Sequence, residues 1–242
     1  MNNKEILEKV INDYDKISNH FNITRQYDWQ EFELFKTYII NYIYNTNIKK
    51  LKILDIGCGN GRLVKFLDSL EIDFEYLGID NSEEQIKIAK KNYGDLKNVK
   101  FEMGDILSLE QYKNQFNIVF CIAVFHHLTK ELQKKGAEQI KAVLKKEGLV
   151  FMLNWNLFQR KYIKNIYNIK KIFKYKTLNL KNTFITWKKP SGELICERFY
   201  YAFTRKDLRK IFKKVDLNIL ENKFSEDKKI YKSKNIVTIL RK

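Results

Sequence analysis

Three glycines separated by single residues, Gly57, Gly59 and Gly61, close the apolar run Leu51-Lys52-Ile53-Leu54-Asp55-Ile56 and lead into Gly61–Ser69, where apolar positions recur at helical spacing. A glycine turn between a strand and a helix suits the binding of a nucleoside-bearing cofactor. Glycine adopts the unusual backbone angles of the turn, and without a Cβ it lets a ligand lie against the main chain, while the helix that follows presents unpaired N–H groups. Asp80 ends the next apolar run, Leu77-Gly78-Ile79-Asp80, a little over ~20 residues on, where a carboxylate can accept from both hydroxyls of a ribose. Dinucleotide sites place a glycine three residues after the second one, in the pattern Gly-x-Gly-x-x-Gly. Arg62 stands there instead, which argues against a nicotinamide or flavin enzyme.

The elements that must hold these residues follow from periodicity. Leu51–Ile56, Phe74–Ile79, Val99–Glu102, Asn117–Val124 and Gly148–Asn154 read as strands, and Gly61–Ser69, Ser82–Asn92 and Lys130–Lys146 as the helices between them. That alternation predicts a parallel sheet with crossover helices. Residues 4–19 and 28–45 predict two helices ahead of the first strand. Arg205–Lys214 predicts a helix, Val215–Glu221 and Asn235–Leu240 two further strands, and Lys188-Lys189-Pro190-Ser191-Gly192 a turn.

A chain of 242 residues, 44% hydrophobic and 14% aromatic, is expected to form one α/β domain. Four segments are expected within it: an N-terminal helical cap (1–48), a cofactor-binding core (49–155), a basic insertion (156–203), and a C-terminal helix with strands (204–242). No apolar stretch approaches the ~18 residues that span a bilayer, and the N-terminus lacks the apolar core of a signal peptide. No membrane association and a cytoplasmic location are therefore expected. Cys58, Cys121 and Cys196 are widely spaced with no histidine at ligand spacing, so reduced thiols and no metal site are expected.

The net charge is +17, and its distribution is uneven. Residues 156–192 hold ten basic side chains (Arg160, Lys161, Lys164, Lys170, Lys171, Lys174, Lys176, Lys181, Lys188 and Lys189) and no acidic one, interleaved with Phe158, Tyr162, Tyr167, Phe173, Tyr175, Phe184 and Trp187. Such a mixture suits phosphate contacts with base stacking. The alternative is an amphipathic helix with core aromatics and solvated lysines.

Asp55-x-Gly57-x-Gly59-x-Gly61 resembles motif I of the class I methyltransferases. Asp80 matches that family's ribose-binding acid, Gly104-Asp105-Ile106 the pair flanking adenine, and Phe116–Cys121 its fourth strand. The resemblance implies a Rossmann-like, seven-stranded, mostly parallel sheet with helices on both faces and an antiparallel last strand. It also implies S-adenosyl-L-methionine held by Asp55, Gly57, Cys58, Gly59, Gly61, Asp80, Asn81, Asp105, Ile106 and Ala123.

A closer resemblance, to the eukaryotic tRNA wobble-uridine methyltransferases that esterify 5-carboxymethyluridine, rests on Tyr14–Arg25 followed by Trp29, Ile122–Leu128, Asn154-Trp155-Asn156, Phe184–Trp187 and Arg198–Phe203. The chain departs from that family at Ile185-Thr186, where Val-Pro is usual, and at Ala202, where His is usual. The resemblance implies tRNA as a partner and brings with it a small zinc-binding activator protein. A carboxylate acceptor is ionised at neutral pH, so transfer needs alignment and charge neutralisation and no general base. Arg25 and Arg198 are then expected to orient carboxylates, with His126 and its neighbour His127 at the mouth of the site. Trp29, Trp155, Trp187 and Tyr200 are expected to stack on a base. A small-molecule O-methyltransferase would share sheet and motifs, and so would a non-catalytic RNA-binding subunit.

Overall fold

The computed structural model describes residues 1–24, 31–175, 179–225 and 235–242. The chain runs α1 (Asn3–Thr24), α2 (Phe32–Thr46), β1 (Leu51–Ile56), α3 (Leu63–Asp68), β2 (Phe74–Asp80), α4 (Glu83–Tyr93), β3 (Val99–Met103), β4 (Phe116–Ile122), α5 (Gln133–Val143) and β5 (Leu144–Trp155). After β5 come α6 (Ile163–Ile166), α7 (Lys170–Tyr175), β6 (Asn182–Lys188), β7 (Leu194–Tyr201), α8 (Arg205–Lys214), β8 (Asn218–Phe224) and β9 (Asn235–Arg241). Seven strands form one sheet in the order β3-β2-β1-β4-β5-β9-β8. Strands β1 to β5 pair in parallel, and β9 runs antiparallel between β5 and β8. A Rossmann-like sheet with one reversed strand is thus what the sequence motifs implied.

The central strands are buried on both faces, and successive residues divide between two cores. Val119, Cys121, Val150 and Met152 pack with Ala137 and Ile140 of α5 and with Leu208 and Phe212 of α8. Phe120, Leu149, Phe151 and Leu153 pack with Phe35 and Ile39 of α2 and with Val64 of α3. Strands covered on both sides lose the apolar–polar alternation, which is why they read as continuous apolar runs. The order reverses at β1, which pairs with β2 on one side and β4 on the other. Open α/β sheets bind ligands in the crevice beyond the strand ends at such a reversal.

The segment after β5 differs from its expected form. Short helices α6 and α7 lead into an antiparallel hairpin, β6 with β7, that makes a separate two-stranded sheet. The Lys189–Gly192 turn closes it, with Gly192 at φ 88°. Nor is the charge of this segment unpaired. Lys174 bonds Glu197 of β7, Lys181 bonds Asp207 of α8, Lys189 bonds Glu193, and the buried Lys171 donates to the carbonyls of Ile166 and Leu180. Arg160, Lys161, Lys164, Lys170 and Lys188 are left exposed.

Candidate functional site

One cavity lies beyond the ends of β1, β2 and β4, roofed by Leu7, Val10, Tyr14 and Phe21 of α1. Together with its mouth and the solvent open to it, the cavity encloses about 1130 Å³. Asp55, Gly57, Cys58, Gly59, Asp80, Asn81, Asp105, Ile106 and Ala123 line it. So do His126, His127, Trp155 and Arg198.

The three glycines act differently. At Gly57 (φ 69°) a Cβ would lie 2.2 Å from Val124 Cγ2, so only glycine lets the turn after β1 meet the turn after β4. At Gly59 (φ 54°) the nearest atoms to a Cβ, on Phe21 and Gln85, are 3.7 and 3.8 Å away, and both residues are cavity walls. Gly61 (φ 79°) is not on the cavity wall; its Cβ would press on Phe101 and Tyr93 at 2.9–3.0 Å. That side of the turn packs against β3 and α4. Ala123 also takes a left-handed conformation, φ 62°, a backbone state uncommon outside glycine and concentrated at functional turns.

Asp80 accepts from the backbone N–H of Gly59 at 2.9 Å through one oxygen and from that of Ser82 at 2.9 Å through the other. Each oxygen keeps a second lone pair. Burial pushes its carboxyl up to about 6, against the two N–H donors that favour the charge. Asp55 accepts the Tyr76 hydroxyl at 2.8 Å through Oδ2, while its buried Oδ1 has no partner among the described residues. Burial pushes that carboxyl up to about 7. Asp105 holds the Leu107 N–H at 2.8 Å and so braces its own turn beside the cavity.

The raised Asp55 pKa makes a stability prediction. A carboxyl that titrates higher when folded than when unfolded adds stability at low pH, which is lost as pH rises through about 7. Asp55→Asn should therefore raise the melting temperature at pH 8 by a few degrees, on the order of 1–3 kcal/mol. That gain should shrink toward zero near pH 4; thermal scans at both pH values check it.

At the other end, β4 passes through Ala123 into a single helical turn, Phe125–His127, and this turn puts both histidines on the cavity wall. Hydrogen-bond partners fix both tautomers. The Phe199 carbonyl can only accept, so His127, 2.7 Å away through Nδ1, carries its proton there, and its Nε2 accepts the Tyr14 hydroxyl at 2.9 Å. The Trp155 backbone N–H can only donate, and it reaches His126 Nδ1 at 3.2 Å. Neutral His126 therefore bears its proton on Nε2, a buried donor with no partner among the described residues. Burial keeps both rings neutral, pushing His127 down to about 3 and His126 well below the usual imidazole range.

Arg198 on β7 is 3% exposed. Its guanidinium lies 4.4 Å from the Trp187 ring centre and 5.3–5.6 Å from those of Tyr200, Tyr14 and Trp155. Nη1 donates to the Tyr14 oxygen at 3.3 Å, Nε has no partner, and no carboxylate forms an ion pair with it among the described residues. Of the expected stacking residues among those described, Trp155 lines the cavity. Tyr200 is fully buried beneath it, rings 5.1 Å apart and nearly parallel, and Trp187 is tied to α1 through a 2.9 Å bond to His20. Both rings lie beside the Arg198 guanidinium. Arg25 and Trp29 lie outside the described residues. Tyr14 was missed as a site residue. Its one local signal is a hydroxyl four residues after Val10 on the apolar stripe of α1.

Comparison with known proteins gives the family. Residues 47–216 match the model of a methyltransferase domain. The chain is 25% identical over 230 residues to the tRNA (carboxymethyluridine(34)-5-O)-methyltransferase of Schizosaccharomyces pombe, covering 88% of this chain and 90% of that protein. It spans about half the length of another curated relative, with 34% identity over 118 residues. A SAM-dependent methyltransferase of Methanosarcina mazei superposes with a TM-score of 0.65 at 21% identity, covering 83% of this chain and 96% of that one. The Haloferax volcanii methyltransferase solved in complex with the Trm112 methyltransferase activator superposes with a TM-score of 0.63 at 14% identity, covering 96% of each chain.

Proposed function

The chain belongs to the methyltransferase-domain family of S-adenosylmethionine-dependent enzymes, and on that premise we propose that it esterifies the carboxylate of 5-carboxymethyluridine at the tRNA wobble position. The cavity fits the cofactor by its own chemistry. Buried polar atoms of Asp55, Asn60 and Gln85 on its wall lack partners among the described residues, as a wall does that awaits a polar ligand. Asp80 would accept from the ribose hydroxyls, Ile106 and Asp105 would flank the adenine, and Asp55 with Gly57 and Gly59 would hold the methionine end. The bound cofactor supplies a sulfonium methyl for in-line transfer.

What carries the acceptor assignment is a set of donors with no base among them. Arg198 offers its Nε edge and His126 its Nε2–H, while both lone-pair nitrogens of the histidine pair are already occupied, by the Trp155 N–H and the Tyr14 hydroxyl. A phenol or alcohol must lose a proton to react, and neither ring has a free lone pair to take it. A carboxylate arrives ionised and needs only donors and a cation, which are here held in a low-dielectric site. Arg198 aligns and neutralises it, His126 donates to it, and the α1 roof excludes water.

Two further observations support tRNA as the bearer of that carboxylate. The relationship to the fission-yeast enzyme runs over nearly the whole chain. Lys161 lies over the ring of Tyr162, which stacks on that of the cavity residue Trp155, and Arg160 and Lys164 are exposed close by in the sequence. Replacing the three by alanine should weaken tRNA binding and lower the salt slope by roughly 2–3, since each phosphate contact contributes ~0.7–0.9. Replacing the ion-paired Lys174, Lys181 and Lys189 should change it less. Filter binding across a salt series separates the two. A small activator protein of the kind bound by the Haloferax enzyme is the expected second partner, and the cytoplasm the expected location.

A second acceptor, a small carboxylic acid, is favoured by the apolar Leu7, Val10 and Leu128 on the wall. Mass spectrometry of tRNA nucleosides decides. Cells without the gene should accumulate 5-carboxymethyluridine, and unchanged wobble uridines would reject the tRNA acceptor.

A further inference from the structure

We propose that Tyr14 is the positioning residue of the acceptor site: its hydroxyl fixes which edge of Arg198 faces the acceptor, and so ties the α1 roof to methyl-acceptor binding. The proposal rests on the carboxylate-acceptor reading above and concerns a residue that acts through Arg198.

The direction of each hydrogen bond follows from the one before it. The Phe199 carbonyl accepts from His127 Nδ1, so His127 Nε2 is an acceptor. Tyr14 must then donate its only proton to Nε2, which leaves its oxygen with lone pairs alone, and Arg198 Nη1 donates to that oxygen. The chain from Arg198 through Tyr14 and His127 to Phe199 thus has a single polarity, and Tyr14 has no proton to offer a ligand. With Nη1 held by Tyr14, the guanidinium edge that carries Nε is the one left for a planar anion. The Trp187 ring, 4.4 Å from the guanidinium carbon, attracts the cation but does not select which of its edges turns to the cavity. The Tyr14 hydroxyl fixes that edge.

The same helix is bonded to the cofactor half of the cavity. Asp15 accepts the hydroxyl of Ser82, next but one after Asp80, at 2.5 Å, and Asn22 accepts from Asn60 in the glycine turn at 2.9 Å. Helix α1 therefore spans both halves, with Tyr14 and His20 on the acceptor side and Asp15 and Asn22 on the cofactor side. Displacing α1 to admit the cofactor would release Arg198 from Tyr14, so the acceptor half is assembled only when the roof is seated.

Tyr14→Phe removes the hydroxyl and keeps the ring that packs on Phe21, His127 and Arg198. With an anticodon stem-loop carrying 5-carboxymethyluridine, Y14F is expected to raise the acceptor KM roughly tenfold, as for a lost hydrogen bond to a charged group. The cofactor Kd should stay within about twofold. In the double mutant Y14F/R198A the Y14F effect should vanish, because it acts through Arg198. An unchanged KM, or additive effects in the cycle, overturns the proposal. A wild-type enzyme that leaves this stem-loop unmethylated rejects the acceptor reading instead. Histidine ¹⁵N NMR then decides on Tyr14 by itself: His127 Nε2 should move toward the unbonded imine position in Y14F, and an unmoved resonance overturns the proposal whatever the acceptor.

Discussion

Replacing Arg198 by alanine is expected to lower kcat/KM for a 5-carboxymethyluridine stem-loop by roughly 10³-fold while changing the cofactor Kd by less than about threefold. The size follows from what the guanidinium is asked to do. It is a buried cation on the cavity wall, proposed to pair with the acceptor, and removing one member of a buried charge pair costs about 3–5 kcal/mol, where 1.4 kcal/mol is a factor of ten in rate. The selectivity follows from position. Arg198 bonds Tyr14 and sits among four aromatic rings, whereas Asp80 and the glycine turn lie at the cofactor end. Arg198→Lys should fall between wild type and R198A, because lysine keeps the charge but lacks the planar fork that Trp187 stacks on. Initial rates on the stem-loop and isothermal titration with the cofactor supply both quantities. Equal losses in the two would show that Arg198 supports the fold of the whole cavity and has no particular place at the acceptor.

Gly57→Ala is expected to abolish measurable cofactor binding and to lower the melting temperature by roughly 5–10 °C. Two costs combine. A residue with a Cβ held at φ 69° bears about 1–2 kcal/mol of backbone strain, and overpacking at 2.2 Å from Val124 adds about 1–3 kcal/mol. A change of 1 kcal/mol shifts the midpoint by about 2–4 °C in a domain of this size. Gly59→Ala separates stability from binding. Its added Cβ meets nothing closer than 3.7 Å, so the fold should lose only the backbone strain while the new methyl intrudes between the cavity walls Phe21 and Gln85. Adding Val124→Ala to G57A should recover the clash portion of the stability and leave the strain. If G57A binds the cofactor as wild type does, the contact between the two turns has no part in shaping the site.

The sheet was largely legible because its rules are local. β1 spans Leu51–Ile56 as periodicity predicts, and α8 spans Arg205–Lys214, capped by Thr204 and Asp207. Expected strand four, Asn117–Val124, stops early at Ile122, where Ala123 turns into the left-handed region at the point where Gly57 approaches Val124. The hairpin β6–β7 was not legible as strands. Thr183, Phe184 and Ile185 are buried in succession, so the period-2 signal was erased by packing from both sides. Its one cue was the Pro190-Ser191-Gly192 turn, between the β-branched and aromatic residues Thr183–Trp187 and the return strand.

The charge pattern misled for a related reason. Residues 156–192 contain no acid, yet Glu197 and Asp207, just beyond that window, fold back onto Lys174 and Lys181. Linear segregation of charge overstates surface charge wherever a hairpin returns the chain to itself.

Sequence alone determined the methyl-donor half of this protein. The glycine turn with Asp55, the acid at Asp80 and the Gly104-Asp105 turn are short-range devices, each read from a strand end and the few residues after it. Tertiary structure alone decided the acceptor half. Arg198 meets Tyr14 across 184 positions, and Tyr14 meets His127 across 113. Whether those groups donate or accept depends on the Phe199 carbonyl and the Trp155 N–H, backbone groups that no side-chain motif encodes. A residue's type fixes what it can donate; only its neighbours in space fix what it does donate, and the proposed carboxylate acceptor rests on that distinction.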